Sequence, residues 1–267
     1  MKNINWKLAF RTGLWSLLIL GFLVSVGFGS SKQDGMLCKG VSVTMLDTNG
    51  QTFVEAGDII EIIKNKFGVL EGKPMGSINI SLLEKIMNTN PFVSKTEVFS
   101  TIDGKITIEV KQRTPVLRII NFNDESFYID NEGLFMPLSD KYTARVPVAN
   151  GYIFDKQTEQ RVTKYTGDQA GDSSLHMIDR IFHVADYIQK NEFWRAGVEQ
   201  LFVNAQGDIE LIPRVGFHTV ILGDDQQLEE KLNKLLLFYK EGLKLNGWNQ
   251  YNVINIKFKD QVVCSKN

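Results

Sequence analysis

Residues 81–110 read SLLEKIMNTNPFVSKTEVFSTIDGKITIEV, and this stretch decides the fold of the first half of the chain. Ser81 and Glu84 have the S-x-x-E spacing of a capping box, in which each side chain satisfies an orphan amide of a helix's first turn. Leu83, Ile86 and Met87 give that helix an apolar face, and Asn88-Thr89-Asn90-Pro91 ends it. Two strands follow, Val93 to Thr101 and Lys105 to Lys111, joined at Asp103-Gly104, a favoured hairpin turn. In the second strand Ile106, Ile108 and Val110 alternate with Thr107, Glu109 and Lys111, which predicts one buried and one wet face. Upstream, Asp58 precedes Ile59, Ile60, Ile63 and Phe67 at helical spacing, with Gly68 placed to stop the run. Before that, Val41, Val43 and Met45 alternate with Ser42, Thr44 and Leu46 as an opening strand. The order is β-α-α-β-β.

N-terminal to this unit, eighteen uncharged residues from Thr12 to Gly29 sit behind Lys2, Lys7 and Arg11. As a helix the run reaches about 27 Å, close to the hydrocarbon thickness of a bilayer. No acid occurs before Asp34, so the positive-inside bias keeps the N-terminus cytoplasmic and sends the rest of the chain across. A cleaved signal peptide is the rival reading, with Ser25-x-Gly27 and Gly27-x-Gly29 as small-residue cleavage sites. Bulky Trp15, Phe22 and Phe28 and the length of the run favour a retained anchor. Leu37, not a small residue, precedes Cys38, which excludes a lipoprotein signal.

The net charge of −1 leaves no electrostatic footprint for nucleic acid. The two cysteines, Cys38 and Cys264, lie at opposite ends of the exported region and read as unpaired thiols. The second half reads as α+β. Strand candidates are Val116 to Asn121, Ser126 to Ile129, Val198 to Asn204, Ile209 to Pro213, Phe217 to Leu222 and a final strand, Tyr251 to Phe258. One helix begins near Ser174 and carries Leu175, Ile178, Phe182, Ala185 and Ile188 on a stripe. Another begins after Asp224-Asp225 and carries Leu228, Leu232, Leu235, Leu236 and Tyr239, with Gly242 as its stop. Two helices on one face of an antiparallel sheet would bury both stripes.

Catalytic signatures are scarce. The chain has no G-x-x-x-x-G-K-S/T, H-E-x-x-H or G-x-S-x-G motif. His176, Asp179 and His183 share one helix face and have donor types suited to zinc, but a polar face opposite the apolar stripe explains them more simply. Asp224 and Asp225 read as helix caps, and Asn79-Ile80-Ser81, which fits a glycosylation sequon, reads as the start of a capped helix. The expectation is a binding protein rather than an enzyme, with no cofactor.

The linear motifs resemble the FtsQ/DivIB family of bacterial cell-division proteins. Ser81-Leu82-Leu83-Glu84-Lys85-Ile86 followed by Asn90-Pro91-Phe92-Val93-x-x-Thr96-Glu97-Val98 is similar to that family's helix-to-strand passage. Ile106-x-Ile108-x-Val110-x-x-Arg113-x-Pro115 resembles its strand leading into an R/Y-x-P junction, and Tyr128-Ile129-Asp130-Asn131-Glu132-Gly133 its V/I-D-x-x-G turn. The region from Tyr152 to Ser173 has no residue-by-residue counterpart. The resemblance implies a basic cytoplasmic segment at 1–11, a transmembrane helix at 12–31, a POTRA domain at 41–112, a β domain at 113–260 and a polar tail at 261–267. Arg113 and Pro115 then mark the domain junction.

An exposed edge strand offers unpaired backbone groups to a partner. The final strand is read from its residues equally well as an edge or as a core strand. The resemblance implies the former: the final strand receives a strand from FtsB, in a complex that also contains FtsL. Implied contacts are Asn252, Ile254, Asn255, Ile256, Lys257 and Phe258, with Trp248 as an added aromatic contact. Asn255-Ile256-Lys257-Phe258 resembles the family's D-L-R-Y passage, so Phe258 keeps the apolar anchor without its hydroxyl. The implied location is the bacterial inner membrane at the division septum, with both domains periplasmic. The alternatives are a membrane-anchored POTRA chaperone for exported polypeptides and a secreted hydrolase or metalloprotein.

Overall fold

The computed structural model describes residues 15–21, 35–46, 50, 52–155 and 176–266. Of the expected anchor at 12–31, residues 15–21 are helical, with Trp15, Leu17, Leu18, Ile19 and Leu20 exposed. The remainder of that segment lies outside the described residues, and among the described residues no helix is long and apolar enough to cross a membrane. From Tyr152–Ser173, only residues 152–155 are described. The chain divides between Gln112 and Arg113 into two compact units.

The first unit contains β1 (Gly40–Leu46), α1 (Ala56–Phe67), α2 (Ile80–Met87), β2 (Val93–Ser100) and β3 (Lys105–Gln112). β3 is central, antiparallel to β2 and parallel to β1, because the two helices carry the chain back across the sheet. Ile106, Ile108 and Val110 of β3 are fully buried, as their alternation predicts, and Ile59, Ile63, Leu83 and Met87 are buried with them. Complete burial of each such side chain is worth about 1.5–3 kcal/mol.

The cap of α2 differs from the reading. Asn79, two residues before Ser81, is the N-cap, and its Oδ1 accepts from the Leu82 amide at 2.9 Å. Asn79 and Ser81 are both strong capping types, and the helix starts at the earlier one. At the hairpin, Gly104 has φ +86°, and a Cβ there would meet the Met36 sulfur at 2.8 Å and the Leu37 carbonyl oxygen at 3.2 Å.

The second unit begins with β4 (Pro115–Ile120), β5 (Ser126–Asp130), β6 (Phe135–Met136) and β7 (Val148–Gly151). Next come α3 (Met177–Lys190), α4 (Glu192–Gly197), β8 (Val198–Val203), β9 (Ile209–Pro213) and β10 (Thr219–Gly223). It ends with α5 (Leu228–Leu237), a π-helical turn (Phe238–Gly242), α6 (Leu243–Asn246), β11 (Val253–Asn255) and β12 (Val263–Ser265). These strands form one nine-stranded sheet in the order β12-β11-β10-β9-β8-β7-β4-β5-β6. Ile181, Ala185 and Ile188 of α3 and Leu232 and Leu235 of α5 share one hydrophobic cluster with Leu117, Leu201, Leu211 and Val220 of the strands.

Three expectations need correction here. The sheet is mixed rather than antiparallel: β4–β7, β7–β8 and β10–β11 pair in parallel. Parallel neighbours need long crossovers, and the segments between β7 and β8 and between β10 and β11 supply two of them with helices. Gly242 does not stop the helical run, which ends at Gly247 with φ +86°. Gly242 instead admits a ring, since a Cβ there would lie 2.7 Å from Cδ2 of Phe238. Finally, the expected strand from Tyr251 to Phe258 shortens to Val253–Asn255, and the expected polar tail contains a further strand, β12.

Candidate partner-binding edge

β11 is not the last strand of the sheet. It lies between β10, with Val220 opposite Ile254 in parallel register, and β12, with Ile254 opposite Cys264 in antiparallel register. The outer strand at this edge is β12, where Val263 is 48% exposed, Ser265 is exposed and Cys264 is half-buried. Burial pushes the Cys264 thiol above its ordinary value. Among the described residues no strand pairs with the outer side of β12.

The implied contact residues therefore divide. Ile254 and Ile256 are fully buried in the core. The Asn252 amide donates to the Ser265 carbonyl at 3.0 Å, and the Asn252 carbonyl accepts from Thr219 at 2.9 Å. Asn255 turns its Oδ1 onto the Lys257 amide at 3.0 Å, which bends the chain out of the strand. Lys257 and Phe258 stand on that turn. Lys257 Nζ lies 2.6 Å from Asp208 Oδ2, its stem passing over Gly223, where a Cβ would come within 2.6 Å of the Lys257 Cγ. Phe258 is 51% exposed.

Lys234 of α5 holds this turn from the side. Its Nζ donates to the Ile256 carbonyl at 3.1 Å and also to the Phe258 carbonyl. Burial lowers the Lys234 pKa from its ordinary value. A cleft of about 390 Å³ opens between α5 and the turn, lined among others by Glu230, Lys234, Leu237, Lys257, Phe258 and Asp260. Trp248 lies away from this turn, its ring centroid 5.2 Å from Tyr239 and 6.4 Å from His218.

The metal candidate comes apart in three directions. Asp179 Oδ2 accepts from the His176 amide at 3.0 Å and caps α3, while the His176 ring lies 3.2 Å from Asp155. His183 faces the other way, with Nδ1 3.1 Å from Asp225 Oδ2. Among the described residues no group of three His, Cys, Asp or Glu side chains is placed to hold a metal ion.

Asp225 is not the cap the sequence suggests. Its carboxylate is fully buried and also accepts from Arg180 Nε at 3.1 Å. Desolvation pushes Asp225 up and His183 down, while Arg180 places its guanidinium beside the buried carboxylate. Asp224 pairs with Lys231 at 2.5 Å, and the N-cap of α5 is Gln227, whose side chain makes no cap bond.

At the start of the unit, Pro115 opens β4, a position where a strand tolerates the missing N–H. Arg113 Nη1 lies 2.7 Å from Asp130 Oδ2. The Asp130-Asn131-Glu132-Gly133 turn closes on itself, with Asp130 Oδ1 accepting from the amides of Glu132 at 2.9 Å and Leu134 at 2.8 Å.

With this geometry in hand, the family can be read. The profile of the FtsQ/DivIB, C-terminal related domain matches residues 114–265, from the start of β4 through β12. The chain belongs to the FtsQ/DivIB family. The profile of the POTRA-like domain matches residues 36–111, the first unit. No curated protein matches the chain. The FtsQ/DivIB family is one of non-enzymatic division scaffolds, so membership supports a role in cell division through protein–protein contacts. The FtsQ/DivIB match runs into β12, the strand that the sequence reading assigned to a tail. Its only linear signal is the pair Val262-Val263 after Asp260-Gln261.

Proposed function

We propose that the chain is a bitopic scaffold of the bacterial division complex that recruits FtsB and FtsL by strand addition at the C-terminal edge of its nine-stranded sheet. Residues 12–31 anchor it in the inner membrane with the N-terminus cytoplasmic. Both units then work in the periplasm at the septum, and the POTRA unit is available to other division proteins. No bond is made or broken; the scaffold raises the effective concentration of its partners.

The observation that carries this reading is β12. It is the outer strand at the C-terminal edge of the sheet, it is short, and its outer side is unpaired among the described residues. A partner strand laid beside it meets the half-exposed Val263, with Lys257 and Phe258 on the neighbouring turn as side-chain contacts. Ile254 and Ile256 serve from behind, by fixing β11 in the core.

The test is capture of partners from solubilised membranes by the full chain as wild type, Phe258→Glu and Val263→Lys. A lysine on an edge strand blunts strand pairing. Enrichment of FtsB and FtsL by wild type, lost in Val263→Lys, supports the edge. Equal capture by all three moves the interface off this edge, and absence of both proteins from the wild-type eluate overturns the recruitment itself.

A further inference from the structure

His218 is a buried ionisable side chain that strand addition does not use. It stands immediately before β10 and is 3% exposed. Its Nε2 lies 2.9 Å from the Tyr239 hydroxyl, and the two rings meet edge to face with centroids 5.5 Å apart. Its Nδ1 is buried and has no hydrogen-bond partner among the described residues. Gly216, at φ +92°, lies against that atom, since a Cβ there would come within 2.7 Å of Nδ1.

A neutral ring suits this place and a charged one does not. With its proton on Nε2, the ring donates to the Tyr239 oxygen and leaves only a lone pair unpaired at Nδ1. A second proton makes Nδ1 a buried, charged donor with nothing to accept from it. No carboxylate relieves that charge. The loop, the π-helical turn and α6, which leads to Trp248, carry Arg214, Tyr239, Lys240, Glu241 and Lys244, while β10 and β11 carry no ionisable group. All but Tyr239 are exposed, and burial alone holds His218 below its ordinary value of 6.5. Tyr239 is itself pushed far up by burial and keeps its proton.

The easiest relief is to lift the cover. Residues 214–218 form the loop between β9 and β10, and its two ends are tied. The Arg214 amide donates to the Gly197 carbonyl at 2.8 Å, and the Thr219 amide to the Asn252 carbonyl at 2.9 Å. Among the described residues no backbone hydrogen bond holds 215–218 between those ties. Val215 and Phe217 are exposed, and Val215 stands in the wall of an apolar pocket of about 350 Å³ with Trp194, Tyr239 and Trp248. The loop therefore gives up little packing when it moves. The second tie also reaches further. The Asn252 amide donates to Ser265 of β12 at 3.0 Å, so this row of bonds runs from the loop to the C-terminal edge.

We propose that His218 is a pH-sensitive latch: neutral, it holds the 214–218 loop down on Tyr239, and protonated, it releases the loop together with the Thr219–Asn252 bond. Acid then loosens the root of the C-terminal edge while the centre of the sheet stays paired. The latch does not depend on the recruitment proposed above.

The test is hydrogen exchange at single-residue resolution on the detergent-solubilised full chain at about pH 7.5 and about pH 5.5, corrected for the chemical exchange rate. A group that titrates at 6.5 when released, and lower when latched, raises opening by up to about tenfold between those values. The Arg214 and Thr219 amides should show that rise, in excess of any rise in β8 and β9. It should survive His183→Gln and vanish in His218→Gln, whose amide still donates to Tyr239 but takes no charge. Should His218→Gln fold poorly, the wild-type profile and His183→Gln decide between them. Equal opening at both pH values, or a rise no greater than that of β8 and β9, overturns the latch. So does a rise that persists in His218→Gln or is lost in His183→Gln.

Discussion

Arg113 and Asp130 are locked together: Arg113 Nη1 lies 2.7 Å from Asp130 Oδ2, with Asp130 1% and Arg113 16% exposed. The residues on either side are tied as well, since the Asn131 amide donates to the Thr114 carbonyl at 2.9 Å. Two short motifs far apart in the sequence are therefore one structural element, an arginine seated on the turn that follows β5. Removing Arg113 leaves Asp130 as a buried charge.

Arg113→Met should therefore destabilise the second unit by about 3–5 kcal/mol, the usual cost of stranding one member of a buried pair. Asp130 would keep its backbone donors from Glu132 and Leu134 but lose its counter-charge. Urea unfolding followed by near-UV dichroism checks this. The double variant Arg113→Met/Asp130→Asn should recover part of the loss.

Two glycines of the first unit should respond with opposite signs to the same change. Gly104→Ala places a methyl against Met36 and Leu37 at a φ of +86° and should cost more than about 1 kcal/mol. Gly57→Ala, in α1 with open space around it, should gain about 0.4–1 kcal/mol by restricting the unfolded chain. Thermal melts of the two variants, run side by side, decide it.

Lys234→Met removes the donor that holds the carbonyls of Ile256 and Phe258. Hydrogen bonds from a charged donor are worth about 1.5–3 kcal/mol, so local opening of this turn and β12 should become on the order of ten times more frequent or greater. Native-state hydrogen exchange across residues 256–265 should show it, while exchange in β8 and β9 stays at wild-type rates.

The pH response follows from burial. His183 and His218 are both pushed below the ordinary histidine value of 6.5, so near and below that pH the unfolded chain binds more protons than the native one. Their contribution is present above 6.5 and lost as pH falls through the folded values. Asp225 acts in the opposite sense. Raised above 3.8, it contributes stability that is complete below 3.8 and is lost as pH rises through its folded value. Stability should therefore fall between about pH 7.5 and about pH 5.5, where the histidines dominate. His183→Gln/His218→Gln should flatten that fall, and equilibrium unfolding at the two pH values measures it.

The first unit was legible because its signals are local. The alternation of Ile106, Ile108 and Val110 and the Asp103-Gly104 turn each act over a few residues. The second unit resisted for the converse reason. β7 is Val-Ala-Asn-Gly, which has little strand propensity and is a strand because β4 and β8 pair with it on both sides. The run Ile254, Ile256, Phe258 has the alternation of one strand, yet Asn255 and Lys234 bend it after Asn255, which periodicity alone does not show.

The candidate site was half legible for a related reason. Lys257 and Phe258 could be picked out as side chains, but which strand forms the rim depends on the order of the whole sheet. Asp225 shows the same limit. Two adjacent aspartates before a helix read as caps, and only the fold brings Arg180 and His183 to one of them.

The parallel pairing of β1 with β3 also sets a schedule for synthesis. β1 is made first, but its partner positions come last in the unit: Gly40 must wait for Lys105 and Leu46 for Lys111. The β2–β3 hairpin can close on its own within microseconds, whereas β1 has to be held through the emergence of both helices. For that interval both of its margins are bare, and the nascent chain is most open to mispairing before its third strand arrives.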